Sequence, residues 1–373
     1  LVKTKGKQFY HLVLDQTPFY AESGGQVGDS GWLESVNERI SIQNTIKENN
    51  LILHISETLP ENLATEFMAK VNVKNRLSTQ NNHSATHLIH YALREILGTH
   101  VEQKGSLVNH ERLRFDFSHF AKVSEQELLK VENLVNELVR SNVQLEEMRE
   151  ISMDEAKHMG AMALFGEKYG ERVRVIKFDH SIELCGGTHT SATGNIGLVK
   201  IVSEGAIAAG IRRIEAVTGE YAEGFLRGFQ QQIDEIKQML NAPHVIPAIE
   251  KMLQENERLR KNIEEIEQKN IASFVEKIKQ EKELINGIFV IRTIQNLSPE
   301  LLKQAAYQLR NYEENLLTIF ASTFENKAHL IVALSDQLVE NGYNASKLVR
   351  EVSTLIQGGG GGQPTLASAG GKN

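Results

Sequence analysis

Apolar positions change period several times along the chain, and the changes divide it into four stretches. Residues 1–74 read as short strands and turns, with β-rich runs at Gln8–Leu14 and Leu51–Ile55. From Ser78 to Leu97, Leu88, Ala92, Leu93 and Ile96 recur at helical spacing. Leu113–Phe117 then alternates as a strand. Ser124–Val139 reads as a helix, with Ser124 as N-cap and Glu127 completing a capping box. Val173–Phe178 and Gly197–Val202 are further strands. Helices and strands mixed without regular alternation make 75–220 an α+β domain.

Tyr221 to Ile285 changes character. Phe225, Phe229, Ile233, Ile236 and Leu240 form one stripe, and Pro243 and Pro247 interrupt the pattern. Met252, Asn256, Leu259, Ile263 and Ile266 form a second, stepping by four and three as a heptad seam does, between flanks rich in Glu and Lys. We read 221–286 as a long, solvated, coiled-coil-like helical hairpin linking two domains, with self-association through the seam as the sharper alternative. If continuous to Leu284, the second helix is roughly 50–60 Å long. Residues 287–373 return to an α/β pattern. Apolar runs lie at Ile288–Ile291, Leu317–Phe320 and Leu330–Leu334, and helices fit Ser298–Tyr312 and Ala345–Ile356.

Composition narrows the class. The 373 residues are 40% hydrophobic and 24% charged, which suits a globular chain of two or more domains. No apolar run approaches the roughly 20 residues of a membrane span. The start, Leu1-Val2-Lys3-Thr4, has neither Met nor a signal-peptide core, and reads as the start of a fragment of a longer chain. One cysteine excludes an internal disulfide framework and fits a reducing cytoplasm. A net charge of −7 does not advertise nucleic-acid binding, so any RNA contact must come from local basic patches.

The candidate chemistry lies in two short runs, His83-Ser84-Ala85-Thr86-His87 and Cys185-Gly186-Gly187-Thr188-His189. The first pair occupies one helix face, one turn apart; Gly186-Gly187 places the second pair on a turn. Alone, a His-x-x-x-His is more often two surface histidines, and a lone Cys a buried hydrophobe. The single cysteine four residues from a histidine in a Gly-Gly turn shifts the balance. Three imidazoles and a thiolate suit Zn²⁺. His90 is a weaker ligand, since seven residues of helix separate it from His83 by roughly 10 Å.

These runs, with His100-Val101-Glu102-Gln103-Lys104-Gly105-Ser106-Leu107-Val108 and Arg212-Arg213-Ile214-Glu215-Ala216-Val217, closely resemble the editing domain of alanyl-tRNA synthetases and the free-standing proofreading proteins related to it. The resemblance covers nearly the whole chain; the domain that uses ATP and Mg²⁺ for aminoacylation would lie upstream. It implies a β-barrel-like subdomain over 1–74, a zinc editing core over 75–220, and a C-terminal tRNA-binding and oligomerisation domain over 287–373. That last domain is shared with phosphoesterases carrying Asp-His-His, a motif missing from this sequence, so no phosphoesterase activity is carried over. Gly24-Gly25 alone marks a tight turn and does not match a phosphate loop; the resemblance gives its subdomain a structural role with contact to the tRNA end. Gly358–Gly362, a flexible linker by composition, becomes a Gly-rich loop whose N–H groups could approach RNA phosphate.

The implied reaction is hydrolysis of the ester linking serine or glycine to tRNA(Ala). An alanine pocket rejects such near-isosteres by only about 10²-fold, so a second site must recognise the serine hydroxyl chemically. Thr86, beside the metal-directed His87, is placed at the rim of the site for that role, although alone it would be a helix residue bonded to the i−4 carbonyl; the resemblance singles out Gln103 for the same role, and Ile196 is the expected apolar wall. Zinc either activates water or, with four protein ligands, orients the pocket. A zinc peptidase would need His-Glu-x-x-His and fits poorly. A free-standing editor and a non-catalytic zinc-containing RNA-binding module are the competing readings.

Overall fold

The computed structural model describes residues 2–4, 7–163 and 170–372, and the chain divides into two compact units, 1–235 and 236–373.

The first unit opens with strands β1 (Val2–Thr4), β2 (Lys7–Leu12), β3 (Gly31–Glu34), β4 (Arg39–Ile42), β5 (Asn44–Glu48), β6 (Leu51–Ser56) and β7 (Met68–Val71). They form two antiparallel sheets, ordered β1-β2-β6-β5 and β4-β3-β7. The chain crosses from one to the other at Gln43, and the strands do not close into the expected barrel. In β4, Ile40 and Ile42 turn inward while Arg39 and Ser41 face out, so Phe19, Leu33, Ile40 and Ile42 share one small core. The β5–β6 turn is carried by Asn49 and Asn50, both with positive φ, which asparagine tolerates in a two-residue hairpin loop.

Next come α1 (Val73–Leu97), β8 (Gln103–Val108), β9 (Leu113–Ser118), α2 (Glu125–Arg140), β10 (Glu146–Ser152), α3 (Met153–His158), β11 (Arg172–Phe178), β12 (Ser181–Leu184), β13 (Val199–Ala208) and β14 (Ile211–Thr218). Sheet β13-β14-β9-β8 is antiparallel, and α1 and α2 pack against it. Leu88, Ile89, Ala92 and Leu93 of α1, Val131 and Val135 of α2, and Phe115, Phe117 and Ile214 of the sheet are fully buried together. The expected capping box starts α2, with Ser124 accepting from the Glu127 N–H. Strands β10-β11-β12 make a fourth antiparallel sheet, which delivers Cys185 at its end. Helix α4 (Gly219–Leu240) follows, with only Ala222 buried among its described residues.

The second unit contains α5 (Val245–Lys279), a continuous helix of 35 residues, about 50 Å long. Pro243 falls in the break before it. Pro247 does not interrupt it, because it sits in the first turn, where a backbone N–H has no helical partner. The helix stops short of Leu284, which lies in β15 (Glu283–Ile285). Then follow β16 (Ile288–Ile294), α6 (Pro299–Leu309), β17 (Leu316–Phe324), β18 (Lys327–Leu334), α7 (Asp336–Glu340), α8 (Ala345–Ser353), β19 (Gly359–Gly362) and β20 (Leu366–Gly371). The sheet order is β15-β16-β17-β18-β20-β19, with β16 and β17 parallel across the α6 connection and the other pairs antiparallel. Ile271, Val275 and Ile278 of α5 pack with Leu302, Ala305, Ala306 and Leu309 of α6 over Phe320.

The glycine run corrects its expectation: Gly359–Gly362 is an edge strand paired with β20, not a loop. A Cβ on Gly360 would lie 2.5 Å from that of Ala369, and one on Gly358 only 2.1 Å from the Gly370 oxygen. Close strand approach, rather than flexibility, accounts for these glycines.

Candidate metal centre and adjoining cleft

Helix α1 buries an unusual set of side chains: Asn82, His83, Ser84, Thr86, His87 and His90. Buried polar groups need partners, and most of these have one. Asn82 Nδ2 donates to the Asn109 oxygen at 2.8 Å, and its Oδ1 accepts from the Thr218 hydroxyl at 2.8 Å. Thr86 Oγ1 donates to the Asn82 oxygen at 2.9 Å, the i−4 bond typical of a helical threonine. Ser84 Oγ lies 3.1 Å from His189 Nδ1 and accepts from the Thr190 N–H.

The Cys185–Gly187 turn brings the second pair beneath this helix face. Cys185 Sγ lies 3.4 Å from His83 Nε2 and 3.3 Å from His189 Nε2, and it accepts the Gly187 N–H at 3.3 Å. The His87 ring centroid lies 5.3 Å from that of His83 and 4.5 Å from that of His189. One ligand atom from each of His83, His87, Cys185 and His189 falls within 4.8 Å of all the others. Gly187 makes this approach feasible, since a Cβ there would sit 2.0 Å from His83 Cε1.

The surroundings fit a metal. Gln26 Oε1 lies 2.7 Å from His83 Nδ1, and Ser84 occupies His189 Nδ1, so each Nε2 is turned toward the thiol. Fixing the far nitrogen in this way is how ligating histidines are oriented. His87 Nε2 lies 3.5 Å from Glu183 Oε2, while its Nδ1 is buried with no hydrogen-bond partner among the described residues. Burial, reinforced by the neighbouring imidazoles and Arg174, holds His83 and His189 well below the usual histidine pKa. Burial lowers His87 too, against the opposing pull of Glu183. Neutral rings keep the lone pairs that coordination requires. His90 stands apart: its Nδ1 is 3.0 Å from Glu183 Oε1. Burial pushes the Glu183 carboxyl up, but His87 and His90 together lower it from its ordinary value.

Beside this group is a small cleft of about 90 Å³, with Thr86 and Gln103 both in its wall, together with Tyr20, Ser106 and Glu183. Tyr20 donates to the Ser23 oxygen, and its pKa is pushed up to about 12, mainly by burial, so it stays a phenol. Ile196 does not line the cleft; it is fully buried in the core beneath α1 and α2. The Gly24-Gly25 turn, closed by mutual Ser23–Gln26 backbone bonds, has a further role that spacing did not suggest. It aims Gln26 at His83 and at the Thr188 N–H, which Gln26 Oε1 accepts at 2.9 Å. Gln26, Ser84 and Glu183 were all missed in the sequence. A glutamine set between Gly25 and Gly28 was the only local signal for the first of them.

Three family models match the chain: tRNA synthetases class II (A) over residues 2–77, the threonyl and alanyl tRNA synthetase second additional domain over 173–215, and the DHHA1 domain over 286–373. Alanine–tRNA ligases of Cytophaga hutchinsonii and Bacteroides fragilis are 51% and 52% identical to it, each over 100% of this chain and 43% of the relative. That of Porphyromonas gingivalis is 47% identical over the same shares. The chain therefore spans a little over two fifths of the curated relatives it matches. A crystal structure of the C-Ala domain from Aquifex aeolicus alanyl-tRNA synthetase is similar to 24% of this chain and 82% of that one, with 28% identity and a TM-score of 0.23. Along its whole length this chain is a homologue of alanine–tRNA ligases, and it carries their second additional domain and the DHHA1 domain.

Proposed function

We propose that this chain is the editing and tRNA-binding part of an alanine–tRNA ligase, and that it hydrolyses serine or glycine esters of tRNA(Ala). The observation that carries this reading is the convergence of three imidazoles and a thiolate in the wall of a cleft shared with Thr86 and Gln103. When bound by His83, His87, Cys185 and His189, zinc supplies a fixed positive centre for the end of the substrate. Four protein donors would complete a tetrahedral set, which supports an orienting role. Gln26 and Ser84 hold two of the rings, and Glu183 braces a third. Because Thr86 gives its proton to the Asn82 oxygen, its oxygen is left to accept a hydrogen bond from the serine hydroxyl. Gln103 can donate or accept. Alanine has no hydroxyl to offer either group and so forgoes these hydrogen bonds.

In this reading residues 1–74 support the site, 75–220 form the editing core, 221–286 link, and 287–373 place the tRNA. The setting is the cytoplasm; no helix of the described residues is long and apolar enough to cross a membrane. ATP and Mg²⁺ belong to the upstream aminoacylation domain of the longer enzyme. Self-association, if it occurs, would use α5 or the DHHA1 domain. Single-turnover deacylation of Ser-, Gly- and Ala-tRNA(Ala) by the chain tests the reading. The expected result is fast hydrolysis of the first two esters, lost in Cys185→Ala. Spontaneous rates for all three would leave a non-catalytic RNA-binding module.

A further inference from the structure

The turn that presents Cys185 is gripped by one residue of the neighbouring strand. Arg174 on β11 accepts the Cys185 N–H at its backbone oxygen, 3.1 Å away. Its guanidinium reaches over the same turn, where Nη1 donates to the Cys185 oxygen at 2.8 Å and to the Gly187 oxygen at 2.6 Å. The Nε of that fork donates to Glu147 Oε1 at 2.6 Å. Glu147 lies on β10, the next strand of the sheet. Three strands thus converge on one turn of three residues.

We propose that Arg174, anchored by Glu147, is the positioning residue that holds the Cys185–Gly187 turn in its ligating shape and so sets the affinity and geometry of the zinc site. The proposal rests on the zinc reading above. Two successive glycines lose more conformational freedom on ordering than any other pair, and a turn containing them stays soft unless something outside fixes it. Gly187 cannot be stiffened from within, because any side chain there would run into His83. Rigidity must come from elsewhere, and bonds to the carbonyls on both sides of Gly186 supply it. A planar fork can hold two carbonyls and a carboxylate at once, whereas an ammonium on a flexible stem cannot reproduce that arrangement. Glu147 also accepts from Arg149 and so offsets the Arg174 charge only in part; what sets Arg174 apart from any nearby cation is its grip on both carbonyls of the turn. If the turn relaxes, Sγ leaves its 3.3–3.4 Å contacts with the two Nε2 atoms.

The test uses the whole chain as Arg174→Met, Arg174→Lys and Glu147→Gln, with Arg172→Gln as control. Arg172 lies on the same strand but bonds the Glu150 oxygen, away from the turn. Zinc affinity is read by competition with a chromophoric chelator, and geometry by the thiolate and ligand-field bands of the Co²⁺-loaded protein. Arg174→Met should weaken zinc by about 10–100-fold, the usual cost of losing an outer-shell partner, and should shift the cobalt bands. Arg174→Lys should recover only part of this, Glu147→Gln should move both readouts less in the same direction, and Arg172→Gln neither. Should Arg174→Met fail to fold, the lysine and glutamine variants carry the comparison. Zinc affinity within twofold of the parent and unchanged cobalt bands in the folded Arg174 and Glu147 variants would overturn the proposal while leaving the zinc reading standing. A parent chain that takes up neither metal would overturn both.

Discussion

Helices α1 and α5 reverse the usual rule in opposite senses. Along α1, Asn82, His83, Ser84, Thr86, His87 and His90 are buried. Along α5, Leu259, Ile263 and Ile266 stand 49%, 55% and 57% exposed. Both helices show apolar periodicity, so periodicity alone does not say which face is covered. Neighbours decide. The polar face of α1 meets Gln26, Asn109, Glu183, His189 and Thr218, which satisfy groups that would each cost about 1–3 kcal/mol if left bare. The apolar face of α5 meets a sheet and helix α6 only toward its C-terminal end, from Ile271 onward. The one helix is specified by its partners; the other is anchored at one end and presents the rest.

The sharpest way to break this contrast is to remove a ligand from the polar face. His87→Ala or Cys185→Ala should reduce zinc from one ion per chain toward none, measured by elemental analysis, and lower the unfolding temperature of the first unit. Full zinc occupancy in either variant would sink the assignment. Next in size is the contrast within α5 itself. Ile271→Ala leaves a cavity against α6 and should cost about 2–5 kcal/mol of second-unit stability in denaturant titration. Ile263→Ala, on the exposed stretch, should stay within about 0.5 kcal/mol. A large loss at Ile263 would mean that a second surface covers the seam in solution.

Smaller effects sharpen the reading of α1. Thr86→Val deletes one hydroxyl and keeps the shape, which should cost about 0.5–1.5 kcal/mol of serine discrimination, or roughly a several-fold to tenfold fall in the Ser-to-Ala deacylation ratio. Gln103→Leu should act in the same direction. Unchanged preference in both would shift attention to backbone donors at Gly186 and Gly187. The smallest effect expected is a pH slope outside α1. His54 is buried between the Thr17 hydroxyl, 2.7 Å away, and the Leu12 oxygen. Burial lowers its pKa below the usual 6.5. The unfolded chain therefore takes the proton first, so this contribution is complete above about pH 6.5 and is lost as the pH falls through the folded value. His54→Gln should flatten the acid side of the stability profile of the zinc-loaded protein; an unaltered slope would remove His54 from the account.

What could be read from the sequence was local. His83 with His87, Cys185 with His189, and Ser124 with Glu127 each declare themselves within five residues, because helix pitch and turn geometry act at that range. What failed was pairing at a distance. Gly359–Gly362 looked like a linker because its partner, β20, carries no marker of register. The barrel over 1–74 was implied by resemblance, and the sequence could not check it because alternation gives each strand a face but not a neighbour. Ile196 was expected to wall the cleft, yet its apolar side chain fills the core. Gln26 escaped because nothing within a helical turn or a strand repeat ties it to His83.

One consequence of the ligand arrangement concerns the order of assembly. His87 and Cys185 are separated by about a hundred residues, and the turn that follows β12 is held by Arg174 of β11, which is itself bonded to Glu147 of β10. An ion held there would be a cross-link over that whole span. By the chain-entropy model used for disulfides, a loop of that length removes on the order of 4–5 kcal/mol from the freedom of the unfolded chain. During synthesis the helical histidine pair would emerge first and wait, and the metal would lock only a unit whose later strands had already found their places. Occupancy of the site would thus serve as a signature of a completed first unit.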